Sequence, residues 1–182
     1  MASAPDDERF ATLAVDAARR CKLSPGEVAP LVGAVAVRNG QVLAVAHRSE
    51  VAPGQHAEFT LLQLKLPDES LAGATIYTTL EPCTCRNHPK IPCVQRLIER
   101  RVGRVVIGTL DRNRTIQGEG YWALRKAGIA VAMFPERLMA ELEELNRDFF
   151  RTHDRSQVKD GRLKPATRPP SEPLQQLSLI HI

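Results

Sequence analysis

Aromatic side chains are scarce in this sequence, at 4% of 182 residues with a single tryptophan. A binder of single-stranded nucleic acid depends on aromatic faces on which bases stack, so the composition gives little support to that class. No apolar run approaches the roughly 20 residues that a membrane-crossing helix needs. The opening Met1-Ala2-Ser3-Ala4-Pro5-Asp6-Asp7 has neither the basic region nor the apolar core of a signal peptide. Cysteine is limited to four, three of them between positions 83 and 93. That crowding reads as metal chemistry in a reducing compartment, and the cytoplasm is the expected location. An excess of one charge is also missing from most of the chain. Residues 1–150 hold 19 Lys/Arg against 18 Asp/Glu, and residues 151–182 hold 6 against 3, so the pI near 9.1 comes mainly from the C-terminal end.

What is present is an ordinary globular composition, 43% hydrophobic and 25% charged. The length suits one domain, expected over 1–151, with a basic, proline-containing tail over 152–182 that should be mobile. Asp6 to Cys21 reads as an amphipathic helix with Phe10, Leu13, Ala14, Ala17, Ala18 and Cys21 on one stripe, which makes Cys21 a core thiol. Leu31–Val37 and Gln41–Ala46, joined by Arg38-Asn39-Gly40, read as a β-hairpin. A helix from His56 is expected to bury Leu61, Leu62, Leu64 and Leu66. Strands over 74–80, 105–110 and 129–134 alternate with helices over 93–101 and 119–127, and the last two strands should run parallel. A final helix opens at Pro135 with the stripe Leu138, Leu142, Leu145 and Phe149. The segment 174–182 alternates apolar residues and could dock on a neighbour.

The chemistry concentrates in three short stretches: His56-Ala57-Glu58, Thr79-Leu80-Glu81-Pro82-Cys83 and Ile91-Pro92-Cys93. His-x-Glu followed by Pro-Cys and a second cysteine is the pattern of zinc-dependent deaminases. One imidazole and two thiolates hold Zn²⁺ with a fourth position open to water, and the metal brings that water's pKa down to about 7. A carboxylate that does not bind the metal must then move protons, and Glu58 fits that role. His56 and Glu58 lie two residues apart, which in a regular helix would point them to opposite sides. Both reach one site if His56 sits at the helix cap. Besides His56, four side chains compete as ligands: Cys83, Cys85, His88 and Cys93.

With these segments the chain resembles the cytidine/deoxycytidylate deaminase superfamily, and most closely the deaminase half of the riboflavin-biosynthesis deaminase/reductase. Val32-Gly33-Ala34-Val35, Arg104-Val105-Val106-Ile107, Asp111-Arg112-Asn113, Gly118-Glu119-Gly120 and Ala127-Gly128-Ile129 match as well, so the likeness covers about residues 8–135. The resemblance implies a three-layer α/β/α fold with a mixed β-sheet and hydrolytic removal of an exocyclic amine. It also implies a zinc site of His56, Cys83 and Cys93, because such enzymes place the second cysteine at the start of the helix after the loop. Cys85 is the alternative ligand. A homodimer or larger homo-oligomer is expected on the same ground. Two departures stand out: no reductase half follows, and Ala29-Pro30-Leu31 stands where the riboflavin-type enzymes carry a substrate-binding asparagine.

The expected substrate is a pyrimidine nucleoside, nucleotide or related aminopyrimidine. Gly33 and Ala34 are small enough to let a flat ring lie against the strand, although tight packing explains a glycine equally well. Ala57 counts with them as a substrate contact, and His47 as a contact to a sugar. Arg112 and Arg114 lie just past the C-terminal end of a parallel strand, where α/β folds bind ligands, and could hold a phosphate. Arg86 and Lys90 are alternatives on the opposite loop. The competing reading is a deaminase of bases within RNA or single-stranded DNA, its basic tail engaging the backbone.

Overall fold

The structure, a computed structural model, describes residues 5–87, 89–113, 116–156, 158–159 and 162–163. Helix α1 (Pro5–Arg19) carries Asp6, Asp7 and Glu8 in its first turn and Arg19 in its last, the order a helix dipole favours. Strands β1 (Gly33–Arg38) and β2 (Gln41–His47) form the expected antiparallel hairpin, turned at Asn39 and Gly40 with φ of 52° and 74°. Helix α2 (Ala57–Phe59) widens at once into a π-helical stretch over Thr60–Lys65. Then follow β3 (Thr75–Leu80), α3 (Cys93–Glu99), β4 (Arg104–Thr109), α4 (Glu119–Lys126), β5 (Ala130–Met133), α5 (Glu136–Leu145) and α6 (Arg147–Ser156). A two-stranded antiparallel pair, β6 (Val158–Lys159) and β7 (Arg162–Leu163), comes last.

The main sheet has the order β2-β1-β3-β4-β5. β1 is antiparallel to both neighbours, whereas β3, β4 and β5 run parallel through the crossovers that contain α3 and α4. This is the mixed α/β sheet that the resemblance implies, with the antiparallel hairpin and the parallel last pair that the order of elements predicts. Strand alternation divides the core into two layers. Val35, Val37, Tyr77 and Val106 face α1 and α5, packing on Phe10, Val15, Leu138 and Leu142. Ala34, Ala36, Ile76, Val105 and Ile107 face the opposite layer, with Leu61, Leu62, Leu97 and Leu124. Asp7 ties the first layer to the sheet, accepting from Tyr77 Oη at 2.6 Å and from both Arg104 terminal nitrogens at 2.7 and 2.8 Å.

Four details differ from the sequence pattern. Leu64 is 44% exposed while Leu61, Leu62 and Leu66 are buried. The buried spacing of four to five residues follows the wider π turn, which carries Leu64 to the outer side. The final helix is two helices, broken at Asn146. The buried Asn146 side chain accepts from Leu31 N at 2.7 Å and donates to Leu31 O at 3.2 Å, pinning the chain there. Beyond the break Phe150, not Phe149, is the buried ring. The helical part also continues past residue 151, to Ser156. The remaining tail, including 174–182, lies outside the described residues.

Gly33 shows how closely α1 seats on the sheet. A Cβ there would stand 2.0 Å from Ala14 O and 2.6 Å from Ala18 N, and neither backbone atom can yield without moving the helix. Gly33→Ala is therefore expected to cost at least about 1–3 kcal/mol of stability. Urea unfolding of the zinc-loaded variant checks this, and an unchanged midpoint would mean that α1 shifts freely.

Candidate active site

Each functional side chain is placed by the end of an element. His56 is the N-cap of α2, with extended φ of −72° and ψ of 148°. The cap breaks helical geometry between His56 and Glu58, so both side chains reach one site as the two-residue spacing required. Cys83 follows the C-terminal end of β3. Cys93 opens α3, where the fixed φ of Pro92 sets the N-cap at −58°. Two backbone bonds join these ends: Cys93 N donates to Cys83 Sγ at 3.4 Å and Val94 N to Cys83 O at 3.2 Å.

The three donors form a metal-competent group. His56 Nδ1 lies 3.6 Å from Cys83 Sγ and 3.5 Å from Cys93 Sγ. Zinc–sulfur bonds of about 2.3 Å and zinc–nitrogen bonds of about 2.0–2.1 Å at tetrahedral angles place nitrogen and sulfur about 3.6 Å apart, so the donor set fits zinc. The thiol chemistry points the same way. The hydrogen bond from Cys93 holds the Cys83 thiol down at about 4, against the opposing effect of burial. That shared proton, with burial, pushes Cys93 well above the usual thiol range. A divalent cation between the sulfurs removes the conflict by letting both ionise.

Glu58 is 3% exposed, and burial pushes its carboxyl above the usual carboxylate range, with His56 opposing. Its partners are long: Thr78 Oγ1 at 3.4 Å and Cys93 Sγ at 3.6 Å. A second buried carboxylate, Glu81, is held quite differently. Its Oε2 accepts from Asp111 N at 3.1 Å and Gly118 N at 2.9 Å, and its Oε1 from Gly120 N at 2.8 Å and Tyr121 N at 3.2 Å. These bonds fasten the segment between β4 and α4 against the metal-ligand turn. The anion also sits at the start of α4, where it favours the helix dipole. A Cβ on Gly120 would come within 2.3 Å of Pro82 O, which explains the small residue there. The role of Glu81 escaped sequence reasoning. Its traces in the sequence were the acid before Pro82-Cys83 and the paired glycines 118 and 120.

A cavity of about 230 Å³ opens over this group, lined among others by Val32, Arg48, His56, Ala57, Glu58 and Asp111. Of the expected substrate contacts, Ala57 lines it. Gly33 and Ala34 do not: Gly33 faces α1, Ala34 is fully buried, and Val32 supplies the wall instead. His47 gives way to Arg48, because Arg48 N pairs with Val32 O at 2.8 Å and brings that residue to the cavity. The His47 ring turns back to Arg48 O, with Nδ1 at 3.0 Å. Arg112 points toward α5 and α6, where it meets Glu143 at 2.9 Å and lies 5.3 Å from the centre of the Phe150 ring. Arg114 and His88 lie outside the described residues. Cys85 is exposed and lines the cavity outside the three-donor group. Cys21 does not line the cavity but sits behind its wall, with Sγ 3.4 Å from Val32 O, and is half-buried rather than a full core thiol.

Three variants test the assignment of ligands and anchor. Cys93→Ser should lose most bound zinc while Cys85→Ser keeps one per chain, measured by metal analysis of the purified proteins; the reverse pattern would overturn the ligand set. Glu81→Gln sets an NH2 against backbone N–H groups, and should lower the unfolding free energy of the zinc-loaded protein by about 1–3 kcal/mol. Unchanged denaturant unfolding would show that those N–H groups find other acceptors.

Comparison with known proteins agrees with this geometry. The family model described as "Cytidine and deoxycytidylate deaminase zinc-binding region" matches residues 4–109. The riboflavin biosynthesis protein RibD of Aquifex aeolicus is 36% identical over 172 residues, covering 88% of this chain and 46% of that protein. The diaminohydroxyphosphoribosylamino-pyrimidine deaminase of Buchnera aphidicola from Acyrthosiphon pisum is 37% identical over 124 residues, covering 67% of this chain and 79% of the relative. Among solved structures, the Thermotoga maritima diaminohydroxyphosphoribosylaminopyrimidine deaminase/5-amino-6-(5-phosphoribosylamino)uracil reductase superposes with a TM-score of 0.70 at 31% identity, over 84% of this chain and 42% of that one. The chain thus spans less than half of several relatives, and 31% of those from Schizosaccharomyces pombe and Actinobacillus pleuropneumoniae.

Proposed function

The chain belongs to the cytidine and deoxycytidylate deaminase family, and from that premise we propose that it hydrolytically removes the exocyclic amine of a phosphoribosylamino-pyrimidine, releasing ammonia. The observation that carries this reading is a buried acid, Glu58, beside a three-donor metal group at the floor of one cavity. The names of the relatives, diaminohydroxyphosphoribosylamino-pyrimidine deaminase among them, support a small aminopyrimidine over a base held in RNA or DNA.

His56, Cys83 and Cys93 would hold the zinc, which when bound would supply Lewis acidity that acidifies water in the cavity. The chain's own part in the reaction is proton traffic. Water adding to the amine-bearing carbon must lose a proton, and the adjacent ring nitrogen must gain one. The resulting hydroxyl then loses its proton, and the amine gains one as it departs as ammonia. Glu58 carries both protons in turn at its carboxylate oxygens. Burial raises its proton affinity toward that of the groups it serves, which suits a shuttle. Its long contacts leave its lone pairs open to the substrate. Glu81, saturated by backbone donors, holds the wall that carries Asp111. Assembly into a homodimer or larger oligomer belongs to the same proposal. Trp122 is 62% exposed on α4 and offers an apolar surface for it.

Ammonia release from diaminohydroxyphosphoribosylaminopyrimidine tests the reaction, with the unmodified nucleotide dCMP as comparison. Glu58→Gln should lower kcat by at least about 10²–10⁴ while zinc content stays at one per chain. Wild-type turnover in this variant would refute the shuttle, and loss of zinc would make Glu58 a ligand.

A further inference from the structure

A second cavity, of about 100 Å³, is lined by residues that neighbour the metal-ligand segments in sequence. It shares no lining residue with the first. Gln55, next to the ligand His56, forms one wall. Arg96, one turn along α3 from Cys93, forms another, and Arg86 and Lys90 come from the Cys83–Cys93 excursion. Two buried polar atoms of this cavity, Gln55 Oε1 and Arg96 Nε, have no hydrogen-bond partner among the described residues. Buried polar groups are nearly always satisfied, and two orphans in one cavity mark a place where something polar binds.

The charge is as uneven as the hydrogen bonding. Among the described residues no carboxylate lies within ion-pair distance of Arg86, Lys90 or Arg96, whereas Arg48, which lines the first cavity, is paired with Glu27. Arg96 stacks on Phe59, with its guanidinium carbon 4.9 Å from the ring centre. The ring fixes the guanidinium without neutralising it. Three cations and the buried amide oxygen of Gln55 thus line one small cavity, a lining that suits a compact oxyanion. The Gln55 amide can offer its oxygen to a protonated oxyanion or, after a half-turn, its NH2 to an ionised one.

We propose that the Gln55, Arg86, Lys90 and Arg96 cavity is an oxyanion subsite that takes a phosphate group. Guanidinium and ammonium donors converging from separate elements match the oxygens of a phosphate and disfavour a neutral ligand. The phosphate comes either from free inorganic phosphate or from the substrate's own phosphoribosyl end. Only the second source rests on the deaminase reading.

Calorimetric titration of the zinc-loaded protein with inorganic phosphate tests the site directly. Saturable binding is expected, weakened roughly tenfold or more in Arg96→Met, which keeps the stem on Phe59 but loses the charged donors. Lys90→Gln, at an exposed position, should weaken it less, and Arg137→Ala, an equal change of charge elsewhere, should leave it unchanged. Absence of saturable binding, or equal affinity in Arg96→Met and Arg137→Ala with zinc retained, would overturn the subsite. Kinetics then separates the sources. If the substrate's phosphate occupies the cavity, inorganic phosphate competes with substrate, and Arg96→Met raises KM for the phosphorylated substrate but not for its dephosphorylated form. If free phosphate occupies it, binding persists at saturating substrate and KM does not change. Failure of ammonia release altogether would refute the deaminase reading and leave the binding result standing.

Discussion

Cys83 receives two consecutive backbone N–H groups from the first turn of α3, one at its sulfur and one at its carbonyl. This junction between the end of β3 and the start of α3 is what the rest of the site depends on. It sets both thiols beside His56 and closes the loop from 84 to 92 into an excursion with fixed ends. Cys85 on that excursion reaches the catalytic cavity, and Arg86 and Lys90 reach the second one. The helix end suits the task because its first N–H groups have no partner within the helix, so they are free to support a thiolate.

Two buried carboxylates near this junction behave differently for a reason that hydrogen bonding makes plain. Glu81 accepts from the backbone N–H groups of Asp111, Gly118, Gly120 and Tyr121, and serves as an anchor. Glu58 has a hydroxyl at 3.4 Å and a thiol at 3.6 Å, and burial raises its proton affinity. A saturated carboxylate has no free lone pair for chemistry. An undersatisfied buried one does, and displaced proton affinities of this kind gather at reactive sites.

The alternation of strand residues explains which neighbours could and could not take part. On β3, Tyr77 faces α1 and meets Asp7, while Thr78 faces the catalytic layer and meets Glu58. At the edge of β1 the same alternation turns Gly33 toward α1 and leaves Val32 for the cavity. A shift of one residue in register would exchange these roles entirely. The β1–β3 pairing of Ala34 with Thr78 and Val35 with Tyr77 therefore fixes the cavity wall as well as the sheet.

The sequence by itself determined the order of the elements around the site and the parallel pairing of β4 and β5, and it narrowed the metal donors to His56 with Cys83, Cys85, His88 and Cys93, of which the fold groups His56, Cys83 and Cys93. Those features are local: hydrophobic period, turn residues and side chains with unambiguous coordination chemistry at the ends of elements. The cap position of His56 was legible too, since only a break in the helix lets residues 56 and 58 meet. Tertiary structure decided the rest. Which residue of a neighbouring pair faces a cavity depends on strand register, so Val32 and Arg48 took the places expected of Gly33 and His47. Arg112 was drawn away by Glu143 and Phe150, partners far along the chain. Asn146 broke a periodic helix because its amide found the Leu31 backbone, and Glu81 became an anchor because distant N–H groups converged on it. Periodicity and composition record what a residue is, but long-range hydrogen bonds and ion pairs depend on where the fold brings its partner.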